Sequence, residues 1–305
     1  MIGIPRSLLY YKNEKLWTTF FDEVGLEYII SPETNKEIIT AGANLAIDET
    51  CLPTKMLLGH ISWLKDKCDY IFLPRVEYAY GSQMCTKFLA QTDLVQNTFR
   101  DENLKFLFYN LAKKGPKAEW KAFKKMGKFL GLKKSVTKNA YQTAKETQRY
   151  YELFRTQEQL KTLHDSRKNK VLIVAHAYNI ADKFVGEPVL RTLKNLNCEP
   201  IIAEHFSAMQ CIRAATKISQ TLPWAYNKHL VGAIALYKDQ VDGIVILTTF
   251  PCGPDSMVNE MIVRKVTDKP ILTLTIDTQD ATAGLETRLE SFVDILNFKK
   301  EHRYG

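Results

Sequence analysis

The sequence predicts an α/β protein built as two Rossmann-like lobes with mostly parallel sheets, a helical basic insert between them, and a site in the inter-lobe cleft. Three observations predict it. Strand-like and helix-like runs alternate across residues 1–112, the same rhythm restarts over 169–305, and the segment 113–168 is polar, helical in spacing and strongly basic. Alternation of this kind marks parallel sheets covered by helices, and a length of 305 residues suits two domains of ordinary size.

The elements read off in order. MIGIPR opens as a short strand, and Leu8 to Val24 carries apolar residues at helical spacing, with Gly25 placed as a C-cap. LEYIIS is a second strand. Thr34 and Glu37 are spaced as a capping box for a helix running through Ile38 to Ile47. A helix over Pro53 to Leu64 leads into the strand CDYIFLPRV. In the insert, Phe123, Met126, Phe129 and Leu130 are spaced to form one apolar stripe, and Tyr141, Tyr150, Tyr151, Phe154, Leu160 and Leu163 add apolar surface. The second half reads as strand KVLIVAHAYNI, helix Glu187–Leu196, strand EPIIAEHF, helix Leu230–Lys238, strand VDGIVILTTF, helix Met257–Val266, strand KPILTLTID and helix Thr287–Leu296.

Charge is concentrated in one place. The net charge is +8, yet residues 113–170 hold 17 Lys and Arg against five acids, so the remainder is mildly acidic. The segment reads first as a solvated helical arm, and second as a docking surface for an acidic partner or an acidic cofactor tail. With no helix-turn-helix, zinc-finger or RNA-recognition signature, no nucleic acid partner is expected. No apolar run is long enough for a membrane helix, and the opening reads as a strand, not a signal peptide. The expected compartment is therefore the cytoplasm, where six cysteines need an account other than disulfides.

Three cysteines stand out by position. Cys51 in DETCLP separates two helices, Cys85 in GSQMCTK lies in the loop after CDYIFLPRV, and Cys252 in TTFPCGPDS directly follows VDGIVIL. Ligands in open α/β sheets sit beyond the carboxyl ends of strands, which is where Cys85 and Cys252 fall. The other three, Cys68, Cys198 and Cys211, read as buried small hydrophobes. With no C-x-x-C pair, zinc-ribbon and ferredoxin spacings do not apply. Three soft ligands without a nearby His favour an iron–sulfur group over zinc, and Cys252 as a lone nucleophile is the competing reading.

Around this trio, Arg6, Lys55, Arg75, Lys87 and His176 could balance charge at the site, or could be surface or ion-paired side chains. His60 and His205 read as satisfied core histidines. Glu49 and Asp255 flank ligand candidates and could move protons or cap the adjacent helix starts; Asp255 after Gly-Pro is read as a cap.

The phrases IGIPRSLLYYKNEKLW, SPETNKEI, DETCLPTKMLLGHI, DYIFLPR, LPW, VDGIVILTTFPCGPDS and AGLETRLESFVDIL resemble the 2-hydroxyacyl-CoA dehydratase activase-related proteins. That family is in turn related to the cluster-binding subunits of 2-hydroxyacyl-CoA dehydratases. The likeness runs through both lobes and fails mainly in the basic insert. It implies two α/β lobes clamping one [4Fe–4S] cluster through three cysteines, and Cys51, Cys85 and Cys252 match that pattern in order. It also implies low-potential electron transfer or reduction, driven by a separate ATP-dependent activase or reductase protein that passes on one electron, with a ketyl radical formed from a thioester carbonyl in the dehydratase system. No phosphate loop is present, so the chain is not expected to be that activase itself. A homo- or hetero-dimer meeting at the cluster, or a double-cubane cluster across a dimer, follows as an option. So does a relay or cluster-carrier module without turnover. One departure from the family falls at Ile276-Asp277-Thr278-Gln279-Asp280, where relatives carry an acidic pair; it puts a role for Asp277 in doubt.

Overall fold

Short runs rich in Ile, Val and Leu become the central strands of two separate parallel sheets, as their uniform burial requires. The computed structural model describes residues 1–278 and 284–302, so Gln279 and Asp280 of the family departure lie outside the described residues. The chain divides into two units, Met1–Glu152 and Leu153–Gly305.

The first unit runs β1 (Ile2–Ile4), α1 (Tyr10–Glu23), β2 (Tyr28–Ile30), α2 (Lys36–Leu45), α3 (Leu52–Leu64) and β3 (Tyr70–Val76). A small antiparallel hairpin follows, β4 (Tyr78–Ala79) with β5 (Ser82–Gln83), and then α4 (Thr86–Thr98), β6 (Phe106–Leu111), α5 (Ala118–Phe129) and α6 (Lys134–Asp165). The sheet order is β2-β1-β3-β6, with every pair parallel. Gly25 closes α1 as expected: it takes φ +68°, and Leu26 N donates to Phe21 O at 3.0 Å, the pattern of a left-handed helix stop.

The capping box predicted at Thr34 and Glu37 is not formed. Asn35 caps α2 instead, its Oδ1 accepting from Ile38 N at 3.0 Å, because the Thr34 hydroxyl is taken by His60 Nε2 at 3.1 Å. α2 and α3 cross so closely that a Cβ at Gly42 would strike the Lys55 carbonyl and one at Gly59 the Ile38 carbonyl.

The second unit runs β7 (Asn169–Val174), α7 (Ala177–Ile180), α8 (Gly186–Asn195), β8 (Cys198–Ile202), α9 (Ala208–Ala214), α10 (Ala225–Tyr237), β9 (Gly243–Thr249), α11 (Gly253–Lys265), β10 (Ile271–Ile276) and α12 (Leu285–Glu301). Its sheet order is β10-β9-β7-β8, again parallel throughout. α11 starts four residues before the predicted Met257, since Pro254 in its first turn has no N–H to leave unsatisfied.

Both units therefore follow one plan. The first strand is central, the second lies on one side, and the third and fourth lie on the other. A helix pair links the second strand to the third in each, α2–α3 and α9–α10. Even the tight crossing recurs, because a Cβ at Gly232 of α10 would strike the Cys211 carbonyl of α9. Strand order reverses between β1 and β3, and between β7 and β9. Beyond the carboxyl ends of those strands is where such sheets place their sites.

The basic segment is helical as predicted, and the unit boundary falls within α6. Its apolar stripe is only partly internal. Phe123 is fully buried among Phe20, Tyr109 and Tyr141, with ring centroids 4.8, 5.3 and 5.0 Å away. Met126 and Leu163 are buried too, but Phe129 is 59% exposed, Tyr150 74% and Phe154 52%. Phe129 ends α5 and meets Tyr70, the first residue of β3, edge-on, with ring centroids 5.6 Å apart. The lysines at 113, 114, 117, 121, 124, 125, 128, 133, 134 and 138 are all exposed. Among the described residues, no helix is long and apolar enough to cross a membrane.

Candidate functional site

Cys51, Cys85 and Cys252 occupy the same local position: each is the N-cap residue of a helix, α3, α4 and α11 respectively. Cys51 and Cys252 have extended backbone, Cys85 takes φ −56° and ψ 140°, and each carbonyl starts the helix. Cys51 O accepts from Thr54 N at 2.9 Å and Lys55 N at 3.1 Å, Cys85 O from Phe88 N at 3.0 Å, and Cys252 O from Ser256 N at 3.0 Å. The side chain is then left at the helix N-terminus, where N–H groups and the helix dipole favour negative charge. Two of the three share a sequence device, Cys51-Leu52-Pro53 and Cys252-Gly253-Pro254, with proline in the first turn. All three thiols are half-buried. Cys51 Sγ also meets the Thr54 hydroxyl at 3.2 Å.

The other three cysteines are placed for packing. Cys198 and Cys211 are buried. Cys68 donates to Leu64 O at 3.4 Å and packs where a Cβ at Gly3 would come within 2.5 Å of its sulfur. Burial pushes the Cys68 thiol up, and burial with the nearby Asp242 carboxylate pushes Cys198 up to about 11. Burial thus disfavours the thiolate at both, and the thiolate is the form that binds metal.

Cys51 and Cys85 belong to the first unit and Cys252 to the second. Among the described residues, no three His, Cys, Asp or Glu side chains are gathered into a group that could hold a metal ion.

Next to Cys252 lies the polar centre of the second unit. The reading of Asp255 as a helix cap is overturned: it sits inside the first turn of α11, buried, and its carboxylate turns inward. Oδ1 accepts from His176 Nε2 and from Asn227 Nδ2, each at 2.8 Å, and Oδ2 accepts from the Thr248 hydroxyl at 2.9 Å. Burial alone would raise this carboxyl. The His176 imidazole, its hydrogen bond, and those of Asn227 and Thr248 outweigh burial and hold it at about 2. His176 is the N-cap of α7 at the carboxyl end of β7, and stacks on Tyr178 with ring centroids 5.0 Å apart. Thr248 is the penultimate residue of β9 and Asn227 lies in the first turn of α10. The cluster thus straddles the β7–β9 reversal.

The first unit's polar centre is different. His60 is fully buried, with Nδ1 bonded to the Ser31 hydroxyl at 2.9 Å and Nε2 to that of Thr34. Arg6 N donates to Ser31 Oγ at 2.8 Å and Arg6 Nε to Ser31 O at 3.1 Å. Burial first, then the Arg6 charge, lowers His60 to about 3. It is the satisfied core histidine that was expected. His205 is not, being only half-buried; the buried histidine of that region is His229. Its Nδ1 lies 3.3 Å from Glu204 Oε2 and its Nε2 3.1 Å from Phe206 O. Sequence reading missed this pair, although AYNKHLVGAIAL, with one His on an otherwise apolar helix, carried the signal.

The remaining candidates are dispersed. Lys55 and Lys87 are half-buried in the first turns of α3 and α4. Arg75 is the penultimate residue of β3 and reaches Asp93 at 3.9 Å. Glu49 is exposed and caps nothing, since Cys51 is the N-cap there. Asp277 accepts from Thr278 N at 2.7 Å.

Residues 1–206 match the family described as CoA enzyme activase uncharacterised domain. A comparison with curated proteins found no match.

Proposed function

The chain belongs to this CoA enzyme activase-related family, and from that premise we propose that it is an iron–sulfur component of CoA-thioester chemistry. Cys51, Cys85 and Cys252 would hold a [4Fe–4S]-type group, recharged by a separate ATP-dependent activase or reductase protein. The observation that carries this is the shared N-cap position of the three thiols, set against three other cysteines of which two are buried and two have their thiolate disfavoured by burial. Sulfur donors at helix N-termini suit a soft, negatively charged group, because backbone N–H groups there stabilise thiolate and sulfide alike.

When bound, such a group supplies single electrons at low potential, and three protein thiolates on four irons leave one iron position open. The protein's own residues do the rest. Thr54 places a hydroxyl on the Cys51 sulfur, Pro53 and Pro254 stiffen the turns that present two of the thiols, and the Asp255 cluster fixes the turn that begins at Cys252.

The test is anaerobic reconstitution with iron and sulfide, followed by metal analysis and electron paramagnetic resonance of the reduced protein. About four irons per chain are expected, or per pair of chains if the group is shared. Cys51→Ser, Cys85→Ser and Cys252→Ser should each lose most of the iron, while Cys211→Ser should keep it. Iron content that is indifferent to all three substitutions overturns the proposal. Loss of a thioester-cleaving activity in Cys252→Ser alone, without iron in the native protein, would favour Cys252 as a nucleophile.

A further inference from the structure

We propose that Asp255 is the positioning residue of Cys252, holding that thiol in place through the first turn of α11. The inference deepens the reading of Cys252 as a metal-binding thiol and rests on it.

Cys252 and Asp255 share one helical turn, the first as N-cap and the second three residues on. The carboxylate ties that turn to three other elements at once: the β7–α7 junction through His176, α10 through Asn227, and the end of β9 through Thr248. A turn pinned from three directions cannot swing, so neither can the residue that begins it. In the first turn of α3 the matching task falls to Thr54, which bonds the Cys51 sulfur directly.

The fold itself does not ask for a carboxylate here. α4 comes after the third strand of the first unit by way of the β4–β5 hairpin, and α11 comes directly after the third strand of the second, with Cys85 and Cys252 as their N-caps. Three residues beyond Cys85 the same position holds Phe88, and both Phe88 and Asp255 are 4% exposed. A phenyl ring therefore serves the packing requirement at that place. Burying a charge instead is costly and needs full pairing, and the second unit supplies a donor from each of three elements to achieve it. Acidic residues in a first helical turn ordinarily face solvent and the helix N-terminus. This one faces inward, and its effect is to immobilise.

The test reads the thiol before any iron is added. In native apo-protein, alkylation by iodoacetamide is followed by mass spectrometry, with the rate at Cys252 divided by that at Cys85 as internal reference. Asp255→Asn loses acceptor capacity and should raise the ratio about tenfold, as removal of a residue supporting a ligand commonly does. Thr248→Val removes a single bond with the shape kept, and should raise it about fivefold, the equivalent of one hydrogen bond. A ratio unchanged in both variants, with native circular dichroism, would make Asp255 a core staple and end the proposal. Should Asp255→Asn fail to fold, the ratio in Thr248→Val decides alone. If the ratio shifts but the wild-type protein binds no iron, the positioning role stands and the cluster reading falls.

Discussion

The two units share strand order, helix pairing and a glycine-tight helix crossing, yet they fill the same places with opposite chemistry. The first unit puts Arg6 two residues beyond its central strand and Phe88 three residues beyond the N-cap cysteine of α4. The second puts His176 and Asp255 there. In the first unit the buried imidazole is neutral and bonded only to hydroxyls. In the second it bonds an ionised carboxylate. The difference teaches that the plan needs only apolar filling at the third residue of that helix. The imidazole–carboxylate pair is an addition, placed beside one of the three N-cap cysteines.

The strongest way to break this comparison is to exchange the chemistry. Phe88→Asp gives the first unit a buried carboxylate without the imidazole, amide and hydroxyl that Asp255 enjoys. It should destabilise that unit by about 4 kcal/mol, as an unpaired buried charge does. Urea unfolding measures it. A loss under about 1 kcal/mol would mean that the site after α4's N-cap is wet or adaptable, and the equivalence with Asp255 would fail.

Acid separates the units next. His60 is lowered from 6.5 to about 3, so the unfolded chain takes up its proton first. Its contribution is intact above pH 6.5 and declines as pH falls toward 3. By pH 4 the loss should reach about 3 kcal/mol. Asp255 is lowered from 3.8 to about 2, so its contribution is intact above pH 3.8 and is lost only as pH falls through 2. That loss is about 2 kcal/mol. Between pH 6 and 4, then, wild type should lose stability steadily in urea unfolding, and His60→Gln should flatten that profile. Equal slopes for wild type and His60→Gln would show that His60 is not the buried neutral group described.

How much of this was legible in the sequence follows from what each feature depends on. Strands and helices were readable because uniform Ile, Val and Leu runs and helical spacing are local. The three N-cap cysteines were singled out because Pro, Gly and loop context mark them. Their common capping role was not seen, because a helix start at Gly253 is hidden by Gly-Pro, which reads as a turn. Asp255 was misjudged for a related reason. Asp after Gly-Pro has the local signature of a cap, while its true partners, His176, Asn227 and Thr248, come from three distant stretches of chain. The missed cap at Asn35 is the same kind of error, since only tertiary structure reveals that His60 claims Thr34. Basic helices were predicted from composition, but Phe129, Tyr150 and Phe154 showed that spacing alone does not decide which apolar residues go inward.

The smallest effect sharpens the comparison at one side chain. Asn179, in the turn that His176 begins, is 1% exposed, and neither its Oδ1 nor its Nδ2 has a hydrogen-bond partner among the described residues. A buried amide left so should cost about 1 to 3 kcal/mol relative to one that is satisfied. The first unit has no counterpart, as the corresponding stretch after β1 leads through Ser7 and Leu8 into α1, with Ser7 Oγ donating to Pro53 O at 3.2 Å. Asn179→Leu, close in volume and apolar, should therefore be neutral or stabilising by about 1 kcal/mol in thermal unfolding of the protein without ligands. A loss of about 2 kcal/mol instead would mean that the amide is satisfied by ordered water. The polar centre of the second unit would then extend one helical turn beyond His176.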